Sequence, residues 1–452
     1  MAGQVFGRTL RAEHFLFRDG FVNLNHGSLG THPRSVRRRL RELQDMAEAA
    51  PDHFRLYDFP RLLHESRAAM AAHLRVPIDE LIFVPSTPTL IDAVLRSLHF
   101  QPGDLIVYFD TAHEDTKAVI TRTVQTSPAG ALPLHIAYPI TDREIIQLFR
   151  TTLAAHPGRV KLAFFETIST LPAATLPFES LAETARGEGV LTFVDGAHGV
   201  GHLPLDLESL KPDFFVADCH KWLFVPRPCT AFYSPRRHHQ KFRDAKLCRY
   251  LAQEPATLSA STSHCAQPSP GPPAEPASNA RLVEPQYETL DRLVSFPCLC
   301  IPEALRFREM TCGGEAEVMG YCARLSRKMA SRVASILFTS SMEGDFVRRC
   351  CMFNVMLPLR LAGDVAGQHD EPMKQMVASM APVPSEQAAG VTKYLTERLL
   401  EEHHVSIAIY IYRSVWWARF STQVYLQEDD FELGARALKS ICLEVREGKH
   451  LN

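Results

Sequence analysis

Apolar positions along the chain follow two rhythms. Short unbroken apolar runs occur in "ELIFVPST", "DLIVYFD", "RVKLAFFETI", "VLTFVDGAHG" and "PDFFVADCHK". Between them lie stretches whose apolar residues recur every three to four positions, such as "TLIDAVLRSLHF" and "PFESLAETARGEG". An unbroken run suits a strand buried on both faces, and the longer spacing gives a helix one apolar stripe. The glycine ending "TARGEG" is a helix stop signal. Alternation of the two patterns predicts an α/β fold with a mostly parallel sheet covered on both sides.

Beyond about residue 300 the order changes. "IPEALRFREM" and "EAEVMGYCARLSRKMASRVASIL" read as helices, and "CCMFNVMLPLRL", "SIAIYIY" and "WWARFSTQVYL" as strands. "EQAAGVTKYLTERLLEEHHV" and "DDFELGARALKSICLEVREG" complete a smaller α+β unit. The expected division is therefore a large unit over 46–300, a small one over 301–452, and an N-terminal segment, 1–45, packing with the small one. Two stretches interrupt it. Residues 253–283 contain the Pro-, Ser- and Ala-dense "AQPSPGPPAEPASN", and 362–387 is polar; both are expected to be loops. No internal repeat is visible.

Composition narrows the partners. Across 452 residues, 46% are apolar, 22% are charged and the formal charge is −2, which gives no reason to expect nucleic acid or an anionic membrane. No apolar run reaches about 18 residues, so a spanning helix is not expected. The opening "MAGQVFGRTLRAEHFLF" lacks the apolar stretch of a secretion signal. The eleven cysteines, including "PCLC" and "RCCM", have neither disulfide-framework nor zinc spacing. Reduced thiols, a cytoplasmic setting and no metal are the expectation.

Candidate chemistry sits where the apolar runs stop. Asp195 and His198 follow one run, and His220 and Lys221 follow the next. In open α/β sheets ligands bind beyond the carboxyl ends of strands. A buried acid facing a buried lysine is a costly pair unless a function retains it. Pyridoxal phosphate is a cofactor that uses both: its aldehyde joins a lysine, and its ring nitrogen takes an aspartate partner. A structural ion pair and a surface lysine are the alternatives at this point.

The whole stretch "VDGAHGVGHLPLDLESLKPDFFVADCHKWLFVP" resembles the class V aminotransferase family of fold-type I pyridoxal-phosphate enzymes, within it the isopenicillin N epimerase-like branch that includes the fungal C–S lyase of ergothioneine synthesis. "NLNHGSLG", "HESRAAMAAHLRVP", "YETLD" and "WWARFSTQVYL" extend the resemblance over roughly residues 14–445. It implies that Lys221 is the Schiff-base lysine and moves the α-proton. Asp195 would pair with the ring nitrogen, His198 would lie near the phenolic oxygen and His220 would donate to the phosphate. His113 would stack on the ring, and Ser169 would hydrogen-bond to the cofactor. Ser86, Thr87 and Thr89 would meet the phosphate at a helix N-terminus, with Thr87 as cap and Pro88 in first helical position. Thr289 in "YETLD" would reach the phosphate of a neighbouring subunit, which implies a homodimer with shared active sites. Arg419 would clamp the substrate carboxylate in plane, with Asn25 and His26 also on the substrate side and Gly27 allowing close approach.

Several positions depart from the family pattern. The Asn-Ala-Thr turn becomes Ser86-Thr87-Pro88, and Pro228 stands where relatives have glycine, removing an N–H near Lys221. Arg55 and Leu56 in "HFRLYDFP" place the arginine one residue early, and the segment after "STSHC" is low-complexity. The resemblance therefore implies a retained cofactor core with an altered substrate pocket, as in secondary metabolism. The expected activity is lyase-type cleavage at an amino acid or amino-acid conjugate, with β- or γ-elimination, including C–S cleavage, or C–C bond formation as outcomes. Aminotransferase and epimerase chemistry are alternatives, and a non-catalytic scaffold is the reading from another class.

Overall fold

The computed structural model describes residues 6–84, 86–239, 296–347, 349–363 and 371–451. Its main sheet has seven strands: β1 (Leu81–Val84), β2 (Leu105–Phe109), β3 (Gly130–Leu134), β4 (Val160–Glu166), β5 (Leu191–Asp195), β6 (Phe214–Asp218) and β7 (Thr230–Tyr233). They lie side by side in the order β1-β7-β6-β5-β4-β2-β3. Strand β7 runs against both of its neighbours, and the other pairings are parallel.

Successive side chains on a strand point to opposite faces, and the apolar runs fill two separate cores in that way. Val107, Phe109, Phe165, Val194 and Phe215 enter one; Ile106, Phe164, Phe193, Phe214 and Val216 enter the other. The first face is covered by helix Phe178–Gly187 through Phe178, Leu181 and Ala185, and the second by helix Thr87–Ser97 through Leu90, Ile91 and Val94. Each large side chain so buried stabilises the fold by about 1.5–3 kcal/mol. Strand β3 gave no apolar run because Gly130 and Pro133 interrupt it. A proline is tolerated there because β3 is the edge strand.

A second sheet contains β8 (Met352–Leu361), β9 (Ala381–Val383), β10 (Ala408–Tyr412) and β11 (Val415–Ser421), ordered β9-β8-β11-β10. Pairing of β8 with β11 is irregular between Met356 and Arg360, around Pro358, which has no N–H to give. The expected 362–387 loop is corrected in part: it contains helix Glu371–Ser379 and strand β9, which pairs in parallel with β8. The N-terminal segment joins this half, since Val22 and Asn23 pair in parallel with Val405 and Ser406. Among the described residues no helix is long and apolar enough to cross a membrane. The 253–283 stretch lies outside the described residues.

Candidate active site

Because β4, β5 and β6 are parallel neighbours, they end on the same edge, at Glu166, Asp195 and Asp218. One turn of helix, Cys219–Trp222, follows Asp218 and carries Lys221, whose Nζ lies 3.2 Å from Asp218 Oδ2. Asp218 Oδ1 accepts hydrogen bonds from Thr87 Oγ1 at 2.8 Å and Thr230 Oγ1 at 3.0 Å. Burial opposes its charge, but Lys221, His220 and Thr87 together hold this carboxyl below its ordinary range. Asp195 is placed otherwise. Its Oδ1 accepts from Ala197 N at 2.8 Å, and burial pushes its carboxyl up to about 6 against the pull of that N–H and of Lys221.

His198 is buried behind Lys221 with a defined tautomer. Trp222 Nε1, which can only donate, lies 3.2 Å from His198 Nδ1. The neutral ring therefore carries its proton on Nε2, 3.3 Å from Thr170 Oγ1. Burial keeps it neutral, pushing its pKa far down, helped by the positive charges of Lys221 and Arg419. His202 lies beneath, its ring 4.2 Å from Trp222 and its Nε2 accepting from Cys351 N at 2.6 Å.

Arg419 comes from β11 in the other sheet and is fully enclosed. Its Nη1 donates to Thr170 O at 3.1 Å, and its Nη2 to Asn25 Oδ1 at 2.9 Å and Ser28 Oγ at 2.7 Å, while Nε has no partner among the described residues. All these partners are neutral, and burial pulls the guanidinium down to about 10. Two further contacts steady this junction: Asn354 of β8 exchanges hydrogen bonds with the backbone of Ala173, and Tyr410 of β10 donates to Asn354. Asn25 thus meets Arg419, whereas neighbouring His26 is enclosed, its Nδ1 2.9 Å from Tyr425 OH. Gly30, at φ 65°, presses on the Lys221 turn so closely that a Cβ would lie 1.9 Å from the carbonyl oxygen of His220.

The helix N-terminus differs from expectation in one detail. Ser86, not Thr87, is the cap: its Oγ accepts from Thr89 N at 3.4 Å, and Thr87 is the first helical residue with Pro88 after it. Thr87 is drawn away because its hydroxyl donates to Asp218, a tertiary contact. His220 Nδ1 lies 3.3 Å from Cys229 O, so that nitrogen donates and the neutral ring has Nε2 as an acceptor. His113 caps helix Glu114–Thr126, accepting from Asp115 N at 3.3 Å, and is half exposed. Ser169 is buried and donates to Pro172 O at 2.7 Å. Thr289 lies outside the described residues. Lys221, Asp195, His198, His220 and Thr87 are brought to one sheet edge, joined to Arg419 and Asn25 through Thr170.

The family model "Aminotransferase class-V" matches residues 33–268. The chain is also 33% identical over 453 residues to the L-cysteine desulfhydrase-like protein lolT1 of Epichloe uncinata, covering 97% of this chain and 96% of that one. The chain belongs to the class V aminotransferase family. A more distant relative, the hercynylcysteine sulfoxide lyase of Schizosaccharomyces pombe, is 22% identical over 97% of this chain and 98% of that protein. Among solved structures, the cystine C–S lyase C-DES in complex with cysteine persulfide superposes with a TM-score of 0.64 at 16% identity, covering 93% of this chain and 98% of that chain. That likeness shows the shared fold.

This class V enzyme depends on pyridoxal phosphate, and its residues fit that group. Lys221 is largely enclosed beside the Asp218 carboxylate, His198 presents an N–H, and the capped start of helix Thr87–Ser97 offers an end where an anion is favoured. Sequence reasoning missed Asp218, Glu166, Ser28, Thr170 and Trp222. Asp218 and Glu166 carry the same signal as Asp195, an acid ending an apolar run. The hydroxyl groups carry none, because only folding brings them to Arg419.

Proposed function

We propose that this enzyme is a lyase that cleaves a carbon–sulfur or comparable β- or γ-bond of an amino acid or amino-acid conjugate in secondary metabolism. What supports the lyase reading is the near-full-length similarity to an L-cysteine desulfhydrase-like protein and to a sulfoxide lyase. Bound at this edge, the cofactor supplies an electron-poor ring that stabilises negative charge at the substrate α-carbon. Lys221 would hold the cofactor and move the α-proton, with Asp218 3.2 Å away keeping the amine oriented. Asp195 would hold the ring nitrogen, His198 would donate from Nε2 to the phenolic oxygen, and His113 would stack on the ring. Ser86, Thr87, Thr89 and His220 would hold the phosphate, His220 donating from Nε2 once a dianion beside it favours the imidazolium. Ser169, whose proton goes to Pro172 O, would hydrogen-bond to the cofactor as an acceptor. Arg419 would bind the substrate carboxylate through its Nε edge, which lacks a partner among the described residues, and Asn25 and His26 would shape that side.

We also infer a cytoplasmic homodimer with shared active sites, in which Thr289 reaches the partner's phosphate site. The exposed Leu56 and Tyr57 on the turn Phe54–Asp58 support such a covered surface. The 1–45, 46–300 and 301–452 division belongs to the same reading. The test is incubation with β-substituted sulfur amino acids, with products read by mass spectrometry. Pyruvate, ammonia and a released thiol in stoichiometric amounts are expected. Amino transfer to an added keto acid, or inversion of the α-carbon without cleavage, would replace the lyase with the aminotransferase or epimerase reading. Lys221→Ala should lose the visible absorption of the bound cofactor and about 10²–10⁴-fold of the rate.

A further inference from the structure

Glu166 ends β4 as Asp195 ends β5, and the two are partners in the parallel register. Side chains of such partners leave the same face of the sheet from backbones about 4.8 Å apart. Glu166 is buried, and neither carboxyl oxygen has a hydrogen-bond partner in another residue among the described residues. The groups that act on it are Asp195 from β5, Asp110 just beyond β2, Lys117 from helix Glu114–Thr126, and the Tyr138 hydroxyl from the segment after β3. Lys117 is the one cation among them, and its amine is engaged elsewhere, by Glu114 at 2.6 Å and the Asp110 carbonyl at 3.3 Å. An ionised Glu166 would thus set a second negative charge beside Asp195 in a dry pocket. Burial and Asp195 push its carboxyl up to about 8.

We propose that Glu166 is a positioning residue for Asp195: its carboxyl group keeps a proton and donates it in a hydrogen bond to the Asp195 carboxylate, which Ala197 N holds from the other side. The pair then carries one negative charge rather than two, and Asp195 is fixed in orientation before the ring nitrogen arrives. The positioning role rests on the reading that Asp195 faces that nitrogen; the shared proton does not. A carboxylic acid is the group the geometry calls for here, because it donates without bringing a positive charge that would compete with the ring nitrogen.

Infrared difference spectra of the cofactor-free wild type and Glu166→Gln test the proton. At pH 7 the wild type should show the carbonyl stretch of a protonated carboxyl group that the variant lacks. In the wild type alone that band should fade with a midpoint near 8. Asp195→Asn removes the neighbouring charge and should lower the midpoint by about one pH unit. Absence of the band at pH 7, or a midpoint indifferent to Asp195→Asn, overturns the shared proton. Cofactor affinity tests the positioning. Glu166→Gln, which still donates, should bind pyridoxal phosphate within about 3-fold of the wild type, whereas Glu166→Leu should bind about 10-fold more weakly. Equal losses in the two variants overturn the positioning role. A wild type that takes up no pyridoxal phosphate overturns the cofactor reading itself, while the infrared band still decides where the proton lies.

Discussion

At the amino ends of β5 and β6 an open cleft of about 810 Å³ is walled by Arg75, Arg186, Lys211, Glu208, Asp213 and Arg237. Arg237 pairs with Asp213 at 3.0 Å, Arg75 with Asp206 at 3.0 Å, and Arg186 donates to Leu210 O. Both paired arginines are more than half exposed, at 57% and 67%. At the carboxyl ends of the same strands the charges are enclosed and imperfectly matched. Among the described residues the Arg419 guanidinium has only neutral partners. Exposed pairs are worth about 0–1 kcal/mol and form on any surface. A buried, unmatched charge costs several times more, so its retention signals that something else completes the site.

The sharpest way to break this contrast is Arg419→Ala, which should lower kcat/KM by about 10²-fold or more by removing charge-assisted hydrogen bonds to the substrate carboxylate. Arg419→Lys should recover only part, because an ammonium cannot hold both oxygens in plane. Unchanged kinetics in both variants would remove Arg419 from the site.

A smaller effect appears in stability against pH for the cofactor-free chain. Burial pushes His26 and His202 down to about 3, and His198 also far below 6.5. Below pH 6.5 the unfolded chain therefore binds more protons at these histidines, and stability rises with pH by up to about 1.4 kcal/mol per unit for each. Asp195 and Glu166 have the opposite sign. Raised to about 6 and about 8, they bind more protons when folded, so their contribution falls as pH climbs toward those values. The histidines prevail below pH 6.5, and above it Glu166 remains. Thermal unfolding should peak near pH 6.5 and decline toward 8, with the decline flattened in Glu166→Gln. A profile that keeps rising to pH 8 would contradict the burial described for Glu166.

The smallest effect belongs to the other edge. Arg237→Ala should cost less than about 1 kcal/mol of stability and leave cofactor absorbance and kcat/KM within about 2-fold. A large loss of activity would mean that the two edges are coupled, and the contrast drawn between them would fail.

Strands β2, β4, β5 and β6 were legible because burial on both faces demands continuous apolar runs. Strand β3 was not, since Gly130 and Pro133 are admitted by its edge position, a property of the sheet rather than of the segment. The cap was misplaced by one residue for a similar reason: Ser86 and Thr87 are both competent, and the hydrogen bond to Asp218 decides between them. Lys221 and Asp195 could be picked out as charged residues at the ends of apolar runs. The apolar runs themselves did not distinguish Asp195 from Glu166 or Asp218, which end theirs in the same way; only the resemblance of "VDGAHGVG" did. Ser28, Thr170 and Arg419 lie so far apart in the chain that their meeting had no sequence signature.

By itself the amino-acid order determined that several parallel strands stop in acids and that a lysine follows one of them. Parallel strands end on a common edge, so those groups had to share a neighbourhood. Strand order, register and enclosure settled which acid received a cation, which received a backbone N–H and which was left to hold its proton. Those outcomes depend on distances and water exclusion between segments remote in the chain, quantities that exist only once the chain is folded.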